Sequence, residues 1–309
     1  MLGRLRAEEE GQGRIAAPFA DRLAALVDKR RSQVCLGLDP DPSALSPEAA
    51  PGALTDVADR AAAAVVEHCS DLIDAAGPAC VAVKPQLACF ERLGAPGWRA
   101  LAEVCAAARR AGLLVVADGK RGDVPVTARA YGEALVGKTE TPWGSVEGLG
   151  ADAFTANPLL GEDAIEVLVE AARATGAGVF LLVRTSNPGA ARLQDAILGD
   201  RPLHEELAAL VAESAPALAG ESGLSGVGAV VGATAPQHLG RLRELMPDSI
   251  FLIPGIGAQG GRPADLGPAL APGRPASVLV AAARSIAGAD DPAAAAEELR
   301  TAVWELSRG

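Results

Sequence analysis

The chain has 309 residues, of which 49% are hydrophobic and 22% charged, a composition that excludes intrinsic disorder for most of its length. No apolar run approaches the roughly 20 residues of a membrane span, and the N-terminal residues lack the apolar region of a secretory signal. The formal net charge of −11 argues against a nucleic-acid partner, because phosphate backbones require a basic surface. We therefore expect a cytoplasmic protein without a membrane or nucleic-acid partner; a few local cations would still suffice for a small anionic ligand.

The chain contains five cysteines and three histidines, which is a poor basis for a disulfide framework or a histidine-rich metal site. The cysteines are odd in number and show no Cys-x-x-Cys spacing. We expect them to be reduced, mostly buried thiols and expect no zinc site.

Short runs of apolar, often β-branched residues alternate along the chain with longer alanine-rich stretches that have helical spacing. The short runs predict eight strands, over Val34–Asp39, Cys80–Pro85, Leu113–Lys120, Ala151–Pro158, Gly178–Ser186, Gly226–Thr234, Ile250–Gly257 and Ser277–Ser285. The stretches between them predict helices over Asp56–Ala75, Gly97–Ala111, Ile165–Ala174, Pro202–Ala219, Pro236–Leu245 and Pro292–Ser307. The strand runs are continuously apolar, which is typical of parallel strands buried on both faces.

Eight β/α units predict an α/β fold, a single (β/α)8 TIM-type barrel of parallel strands, with a doubly wound open sheet as the alternative. Phe19–Arg31 predicts an extra N-terminal helix that would close the barrel floor. We expect residues 1–14 to form a disordered tail and residues 15–309 to form one catalytic barrel domain.

Polar residues gather where the predicted strands end, and in a parallel barrel those ends open on one mouth, where barrel active sites lie. The neutral residues of this set are explained equally well as caps of the following helices. The set comprises Asp39, Lys84, Asp118, Lys120, Asn157, Thr185, Ser186, Asn187, Thr234, Gln259 and Arg284.

The segment ADGKRGD carries the sharpest pattern in the chain. Asp118 and Lys120 are two residues apart on a strand and therefore point to the same side, and Asp123 follows where the chain turns into the next helix. Together with Lys84 they would form an alternating array of carboxylates and ammonium groups. Two carboxylates beside a lysine favour its charged form and position its proton for general acid catalysis. The alternative is a buried ion-pair plug, but burying four charges serves stability poorly.

A second pattern, IFLIPGIGAQGG, contains Gly255-x-Gly257-x-x-Gly260 after a predicted strand. The spacing matches a dinucleotide-binding turn only weakly, because prolines interrupt any helix that would follow. In barrels, the loops after the seventh and eighth strands commonly bind phosphate. The glycine amides, Gln259 and Arg284 therefore predict a site for a phosphate monoester.

With these motifs taken together, the sequence resembles orotidine 5′-phosphate decarboxylase, in its type 2 subgroup of longer bacterial chains. The resemblance covers about residues 34 to 286 and is carried by CLGLDPDP, VAVKPQLACFERLG, ADGKRGDVPVTARAYG, TANPLLGED, RTSNPGA, VVGATAP, PGIGAQGG and ARSI. It implies decarboxylation of orotidine 5′-phosphate to uridine 5′-phosphate in de novo pyrimidine biosynthesis, with no metal or organic cofactor.

The same resemblance implies the catalytic roles. Lys120 would protonate C6 of the pyrimidine as carbon dioxide leaves, in an array with Asp118, Asp123 and Lys84. In the family, Asp123 and Thr127 would reach into the active site of a partner subunit, which implies a homodimer with shared active sites.

The binding roles are also implied by the resemblance. Asp39 and Lys84 would bind the ribose, and Ser186 would bind the pyrimidine. Gln259 and Arg284 would bind the phosphate of the nucleotide.

Three alternatives remain open from the sequence. A metal-dependent sugar-phosphate decarboxylase or aldolase of the same superfamily shares the Asp-x-Lys-x-x-Asp run but should carry an acidic metal ligand where this chain has Lys84. A nicotinamide-dependent oxidoreductase would depend on the glycine pattern alone. A non-catalytic phosphosugar-binding barrel would be expected to have lost part of the charged array, whereas every member is present.

Overall fold

The computed structural model describes residues 16–49 and 54–308, and its strands form one closed barrel and two small hairpins. In chain order the strands are β1 (Val34–Leu38), β2 (Ala82–Pro85), β3 (Leu114–Arg121), β4 (Lys138–Thr141), β5 (Gly144–Glu147), β6 (Ala153–Ala156), β7 (Gly178–Arg184), β8 (Ile197–Leu198), β9 (Arg201–Pro202), β10 (Ser225–Val231), β11 (Ser249–Pro254) and β12 (Val278–Ala282). The predicted tail, residues 1–14, lies outside the described residues.

The barrel consists of eight parallel strands in the order β1-β12-β11-β10-β7-β6-β3-β2. Each of the eight predicted strand runs overlaps one barrel strand. The ring closes where β1 pairs with β12, with Val34 opposite Val280. This closure confirms the TIM-type barrel, and the open doubly wound sheet is wrong.

Helices surround the barrel between successive strands. They are α1 (Phe19–Arg30), α2 (Val57–Ala76), α3 (Leu87–Glu91), α4 (Gly94–Arg110), α5 (Pro125–Leu135), α6 (Glu162–Thr175), α7 (Ala190–Gln194), α8 (Leu203–Ser214), α9 (Leu239–Leu245), α10 (Arg284–Ala287) and α11 (Pro292–Leu306). Aspartates precede two of the longer helices as caps: Asp56 accepts hydrogen bonds from the backbone amides of Ala58 and Asp59 in α2, and Asp291 accepts one from the amide of Ala294 in α11. In the described part of the chain, no helix has the length and apolar character needed to cross a membrane.

The core has two layers, one inside the barrel and one between the strands and the helices. The predicted helix before the first strand is present as α1, and its apolar face packs into the inner layer. There the Phe19 ring meets the Phe180 ring edge to face, with centroids 5.8 Å apart. The N-terminal helix thus closes the barrel floor as expected, leaving the opposite mouth for the polar strand ends.

The cysteines are free thiols, and all except the half-buried Cys89 are buried. Burial raises the pKa of Cys69, Cys80 and Cys105 to about 12. Such thiols stay protonated and unreactive at neutral pH, which agrees with the expectation of reduced, mostly buried cysteines.

Candidate active site

A cavity of about 770 Å³ opens at the C-terminal ends of the barrel strands. Its size suits a small-molecule ligand. Seven of the sequence-predicted site residues line it: Asp39, Lys84, Asp118, Lys120, Ser186, Gln259 and Arg284. Asp123 and Thr127 are absent from its walls.

Asp118 bridges two lysines at the base of this cavity. Its Oδ2 lies 2.5 Å from Lys84 Nζ, and its Oδ1 lies 2.7 Å from Lys120 Nζ. Lys84 comes from the end of β2 and Asp118 from the neighbouring β3, so adjacent parallel strands bring the charges together. The Lys120 side chain keeps 43% of its surface exposed, whereas the other two are more than nine-tenths buried. The array therefore presents one ammonium group to the cavity.

The charges of this array stabilise one another. Burial alone would raise the pKa of Asp118, but the charges of Lys84 and Lys120 and their hydrogen bonds hold that pKa well below its usual range. Burial alone would lower the pKa of Lys84, but the charges of Asp118 and Asp39 raise it instead. Asp118 is therefore a carboxylate and Lys84 an ammonium group throughout the neutral range.

An irregularity in β3 lies at the same place. The ladder between β3 and β6 pairs Ala117 with Phe154 and resumes only where Arg121 faces Ala156, so two extra residues of β3 are accommodated between these pairs. Lys120 lies in this bulge with a φ of +49°, in the left-handed region that non-glycine residues rarely adopt.

Two polar residues that the sequence analysis did not single out also contact the array. The Thr155 hydroxyl donates a hydrogen bond to Asp118 Oδ1 at 2.8 Å, and the Gln86 amide lies 3.3 Å from Asp118 Oδ2. Thr155 is fully buried in β6, and the sequence around it predicts only an ordinary apolar strand. The sequence alone does not place Thr155 beside Asp118, because their contact depends on the pairing of β3 with β6.

The glycine pattern forms a tight turn beyond β11. Gly255, Gly257 and Gly260 have φ values of +101°, +73° and +93°, which only glycine adopts without strain. A 3-10 helix over Pro263–Ala269 follows, in place of the α-helix that a dinucleotide-binding fold needs. The dinucleotide interpretation of this motif is therefore wrong, and the turn instead forms part of the cavity mouth.

Exposed side chains able to bind an anion surround this turn. Gln259 lies on the turn, and Arg284 begins α10 directly after β12, so both are at the seventh and eighth strand ends. The Ser186 side chain is close by, because a Cβ on Gly255 would lie 3.2 Å from Ser186 Cβ and 3.7 Å from Gln259 Oε1. Ser186 thus lies next to the glycine turn, at the candidate phosphate end of the cavity.

Asp123 and Thr127 do not line the cavity of their own chain. Asp123 Oδ1 accepts a hydrogen bond from the amide of Val124, its neighbour in the chain. Thr127 lies in the first turn of α5. The side chains of Val124 and Val126 between them are 55% and 84% exposed. Within one chain, the structure therefore assembles three of the four array members and leaves the half-buried Asp123 outside the cavity wall.

A second polar cluster supports the cavity wall beyond β7. Arg184 pairs with Asp195, whose Oδ1 is also 3.2 Å from His204 Nδ1 and 3.9 Å from His238 Nε2. The ligand atoms of the two histidines and the aspartate lie within 4.8 Å of one another. Arg184 occupies both oxygens of that carboxylate, so a metal ion would lie against a buried guanidinium group. The cluster is better described as an ion-pair network than as a metal centre.

The barrel, the lysine-aspartate array and the glycine turn at the cavity mouth define the chain as a β/α-barrel enzyme. Residues 32–299 match the model of the orotidine 5′-phosphate decarboxylase / HUMPS family, and the chain belongs to that family.

Known relatives agree with this assignment. The chain is 42% identical over 251 residues to the orotidine 5′-phosphate decarboxylase of Rhodopirellula baltica, covering 80% of this chain and 81% of the relative. It is 40% identical over 268 residues to the enzyme of that name from Deinococcus radiodurans, covering 87% and 88%. Among solved structures, Leishmania donovani OMP decarboxylase is similar with a TM-score of 0.71 and 36% identity, covering 93% of this chain and 99% of that one. Leishmania donovani UMP synthase gives a TM-score of 0.76 at 36% identity, covering 94% of this chain and 57% of that chain.

Proposed function

We propose that this chain decarboxylates orotidine 5′-phosphate to uridine 5′-phosphate in de novo pyrimidine biosynthesis. The observation that carries the proposal is the carboxylate of Asp118 held between Lys84 and Lys120, with only Lys120 open to the cavity. The names of the relatives support the same activity, a carboxy-lyase reaction.

The chemistry requires a cation beside the reacting carbon. When the bond from C6 to the carboxylate breaks, its electron pair stays on C6 and carbon dioxide leaves, so a carbanion develops on the ring. The Lys120 ammonium stabilises that charge in place and then transfers a proton to C6, leaving a neutral amine that solvent reprotonates. Asp118 restrains Lys120 through their ion pair, and its negative charge also keeps Lys84 protonated. This sequence of steps consumes no metal and no organic cofactor.

The remaining cavity residues suit the other parts of the nucleotide. Asp39 and Lys84 line the cavity at the first and second strand ends, and we expect them to bind the ribose. Ser186, Gln259 and Arg284 also line the cavity. We expect Ser186 to bind the pyrimidine, and Gln259 with Arg284 to bind the phosphate. Binding of the remote phosphate supplies energy that helps to hold the ring against Lys120.

The metal-dependent alternative fits the geometry less well. A sugar-phosphate enzyme of the same superfamily would need acidic ligands facing the cavity near Asp118. Here both oxygens of Asp118 are bound to ammonium groups, and the second strand ends in Lys84. The charges that surround Asp118 therefore repel a divalent cation.

The test is a spectrophotometric assay with orotidine 5′-phosphate in the presence of a metal chelator. We expect the purified chain to convert the substrate, with uridine 5′-phosphate and carbon dioxide formed in equal amounts. Activity that is lost in chelator and restored by magnesium would favour the sugar-phosphate enzyme. No turnover under any of these conditions would favour a barrel that only binds phosphosugars.

We further propose that two chains form a homodimer and share their active sites, with Asp123 and Thr127 acting across the interface. Support comes from their position: both lie outside the cavity of their own chain, beside the exposed Val124 and Val126. Exposed apolar side chains of this kind are suited to burial in an isologous interface, which would supply both residues reciprocally.

The shared site is tested by mixing two inactive variants, Asp123→Asn and Lys120→Ala, under conditions of subunit exchange. If Asp123 acts in trans, the mixed dimer has one site with both changes and one site with neither, so activity reappears. If Asp123 acts in cis, every site keeps one change and the mixture stays inactive. Demonstrated exchange without recovered activity would contradict the shared site and leave the decarboxylase proposal standing.

A further inference from the structure

Thr155 forms hydrogen bonds with both the Asp118 carboxylate and the backbone of Lys120. It lies on β6, next to β3, and its side chain is 1% exposed. Its Oγ1 donates a hydrogen bond to Asp118 Oδ1 at 2.8 Å and accepts one from the backbone amide of Lys120 at 2.9 Å. A single hydroxyl thus contacts the carboxylate that binds the lysine side chain and the backbone that carries it.

The backbone contact has a specific local cause. The β3–β6 ladder is interrupted between Ala117 and Arg121, so the amide of Lys120 has no strand partner in register. Lys120 has a positive φ in this irregular stretch, and its amide donates to the Thr155 oxygen on β6. A hydroxyl can accept and donate at the same time, which no apolar β-branched side chain can do. Thr155 therefore compensates for the bulge that presents Lys120 to the cavity.

The hydrogen bond from Thr155 to Asp118 restrains the orientation of the Asp118 carboxylate. Asp118 Oδ1 accepts from both Lys120 Nζ and the Thr155 hydroxyl, while Oδ2 accepts from Lys84. With both oxygens engaged, the carboxylate plane is held, and the direction in which it draws the Lys120 ammonium is set. Small displacements of a reacting group are costly, because proton transfer needs close and aligned atoms.

We propose that Thr155 is a positioning residue that aims the Lys120 ammonium at the substrate through these two hydrogen bonds. The inference rests on the proposed decarboxylase function but does not depend on which residues bind the nucleotide. Thr155 should therefore affect the chemical step and have little effect on substrate binding.

The experiment compares Thr155→Val, which keeps the shape and removes the hydroxyl, with Thr155→Ser, which keeps the hydroxyl. Thr175→Val is the matched control, because the Thr175 hydroxyl bonds only to helix carbonyls of α6 away from the cavity. We expect the valine variant to lower kcat by about 10- to 100-fold, in the range of displaced catalytic groups, with KM and the Kd of uridine 5′-phosphate changed by less than about threefold. The serine variant should recover most of kcat, and the control should match the wild type.

A second readout isolates proton transfer. By microscopic reversibility, Lys120 should also exchange the C6 hydrogen of uridine 5′-phosphate with solvent deuterium, which NMR follows without any decarboxylation. We expect this exchange to fall with kcat in Thr155→Val and to recover in Thr155→Ser. If the valine variant fails to fold, as judged by circular dichroism, Thr155→Ala serves in its place.

The outcomes separate the two proposals. An active wild type with an unchanged kcat in the valine variant would overturn the positioning role alone. Equal losses in the valine and serine variants, or a loss confined to KM and thermal stability, would also overturn it. A wild type without decarboxylase activity would overturn the proposed function itself, and the positioning role with it.

Discussion

Arg184 holds the carboxylate of Asp195 with two hydrogen bonds, from Nε to Oδ1 at 2.8 Å and from Nη2 to Oδ2 at 3.1 Å. Arg184 ends the barrel strand β7 and is buried, whereas Asp195 directly follows α7 on the loop that lines the cavity. The same guanidinium donates to the carbonyl oxygen of Thr185, next to Ser186. This bidentate pair therefore fixes the cavity wall to the rigid barrel.

Replacing Asp195 with Asn should loosen that wall. The asparagine amide keeps the shape of the side chain, but its NH2 group replaces one carboxylate oxygen. One of the two Arg184 N–H groups then faces another donor and loses its acceptor. Hydrogen bonds to charged groups contribute about 1.5–3 kcal/mol, so we expect KM for the nucleotide to rise by about tenfold, with a smaller fall in kcat. Steady-state kinetics measure both constants. Asp248→Asn is the control, because Asp248 precedes β11 and pairs with Arg274 at the opposite end of the barrel; equal effects in both variants would contradict the assignment.

The same pair predicts a pH dependence of stability. The hydrogen bond from Arg184 lowers the pKa of Asp195 in the folded state, and the charges of Arg184, His238 and His204 add to this effect against the opposing influence of burial. A carboxyl group with a lowered folded pKa stabilises the protein above its unfolded pKa of about 3.9, and this contribution is lost as pH falls through the folded pKa. Urea unfolding of wild type and Asp195→Asn should show a constant gap in the free energy of unfolding above about pH 5 that shrinks below about pH 4. A gap that widens on acidification would show that the sign is wrong.

Arg243 is predicted to be a major source of stability away from the active site. Its guanidinium is buried and lies 3.7 Å from the centroid of the Phe251 ring. Burial lowers its pKa to about 9. Its nitrogens donate to the carbonyl oxygens of Met246, Pro247, Ser249, Ala269 and Ser277. Arg243→Met would leave most of these oxygens unpaired, and we expect a loss of about 3–5 kcal/mol in the free energy of unfolding.

The control for this prediction is two residues away on the same helix. Arg241 is exposed and pairs with Glu205 and Glu244 at the surface. Arg241→Met should change the free energy of unfolding by no more than about 0.5 kcal/mol. Chemical denaturation of the two variants should therefore give clearly different midpoints, and similar midpoints would contradict the role assigned to Arg243.

Arg284 offers a test of the phosphate end of the cavity. Its exposed side chain follows β12 at the mouth, and replacement by Ala should remove the proposed charge-assisted hydrogen bond to the phosphate, which would contribute about 1.5–3 kcal/mol. We expect kcat/KM for the nucleotide to fall by about 10- to 150-fold and the much lower value for the phosphate-free nucleoside to stay unchanged. Arg300→Ala is the control, since Arg300 pairs with Glu297 on the outer helix α11. Equal losses for nucleotide and nucleoside would show that Arg284 does not bind the phosphate.

Much of the architecture was predictable because its signals are local. Continuous apolar runs identify parallel strands buried on both faces, and the eight such runs each contain part of a barrel strand. Several predicted strands run too long at their C-terminal ends, as at Ala151–Pro158, where only Ala153–Ala156 is strand. The residues that follow, Asn157 and Pro158, line the cavity instead, and composition alone does not mark where strand pairing ends.

Other secondary-structure elements are not marked by a local pattern of apolar residues. The β4–β5 hairpin, within the segment 137–148 that the pattern leaves unassigned, is exposed on both faces except at Thr141, so no alternation of apolar residues marks it. The predicted helix Pro202–Ala219 divides into α8 and a 3-10 turn over Ala215–Leu218, where Pro216 cannot continue the α-helix.

The candidate site likewise contains residues that the sequence indicates and residues that it does not. The charged residues of the array were visible in sequence because lysine and aspartate at strand ends are unusual in an apolar barrel. Thr155 and the Arg184–Asp195 pair were not, because their partners are brought together only by strand pairing and by the return of the loop after β7. Threonine is also a common strand residue, so its type alone indicates no role.

The fate of C6 during turnover in deuterium oxide tests the central claim most directly. In the presence of a metal chelator, the wild-type chain should convert orotidine 5′-phosphate to uridine 5′-phosphate that carries one deuterium at C6 for each carbon dioxide released, as followed by NMR. Lys120→Ala should form no measurable product under the same conditions. Product formed by Lys120→Ala at the wild-type rate, or no product from the wild type, would contradict the proposed role of Lys120 as the proton donor.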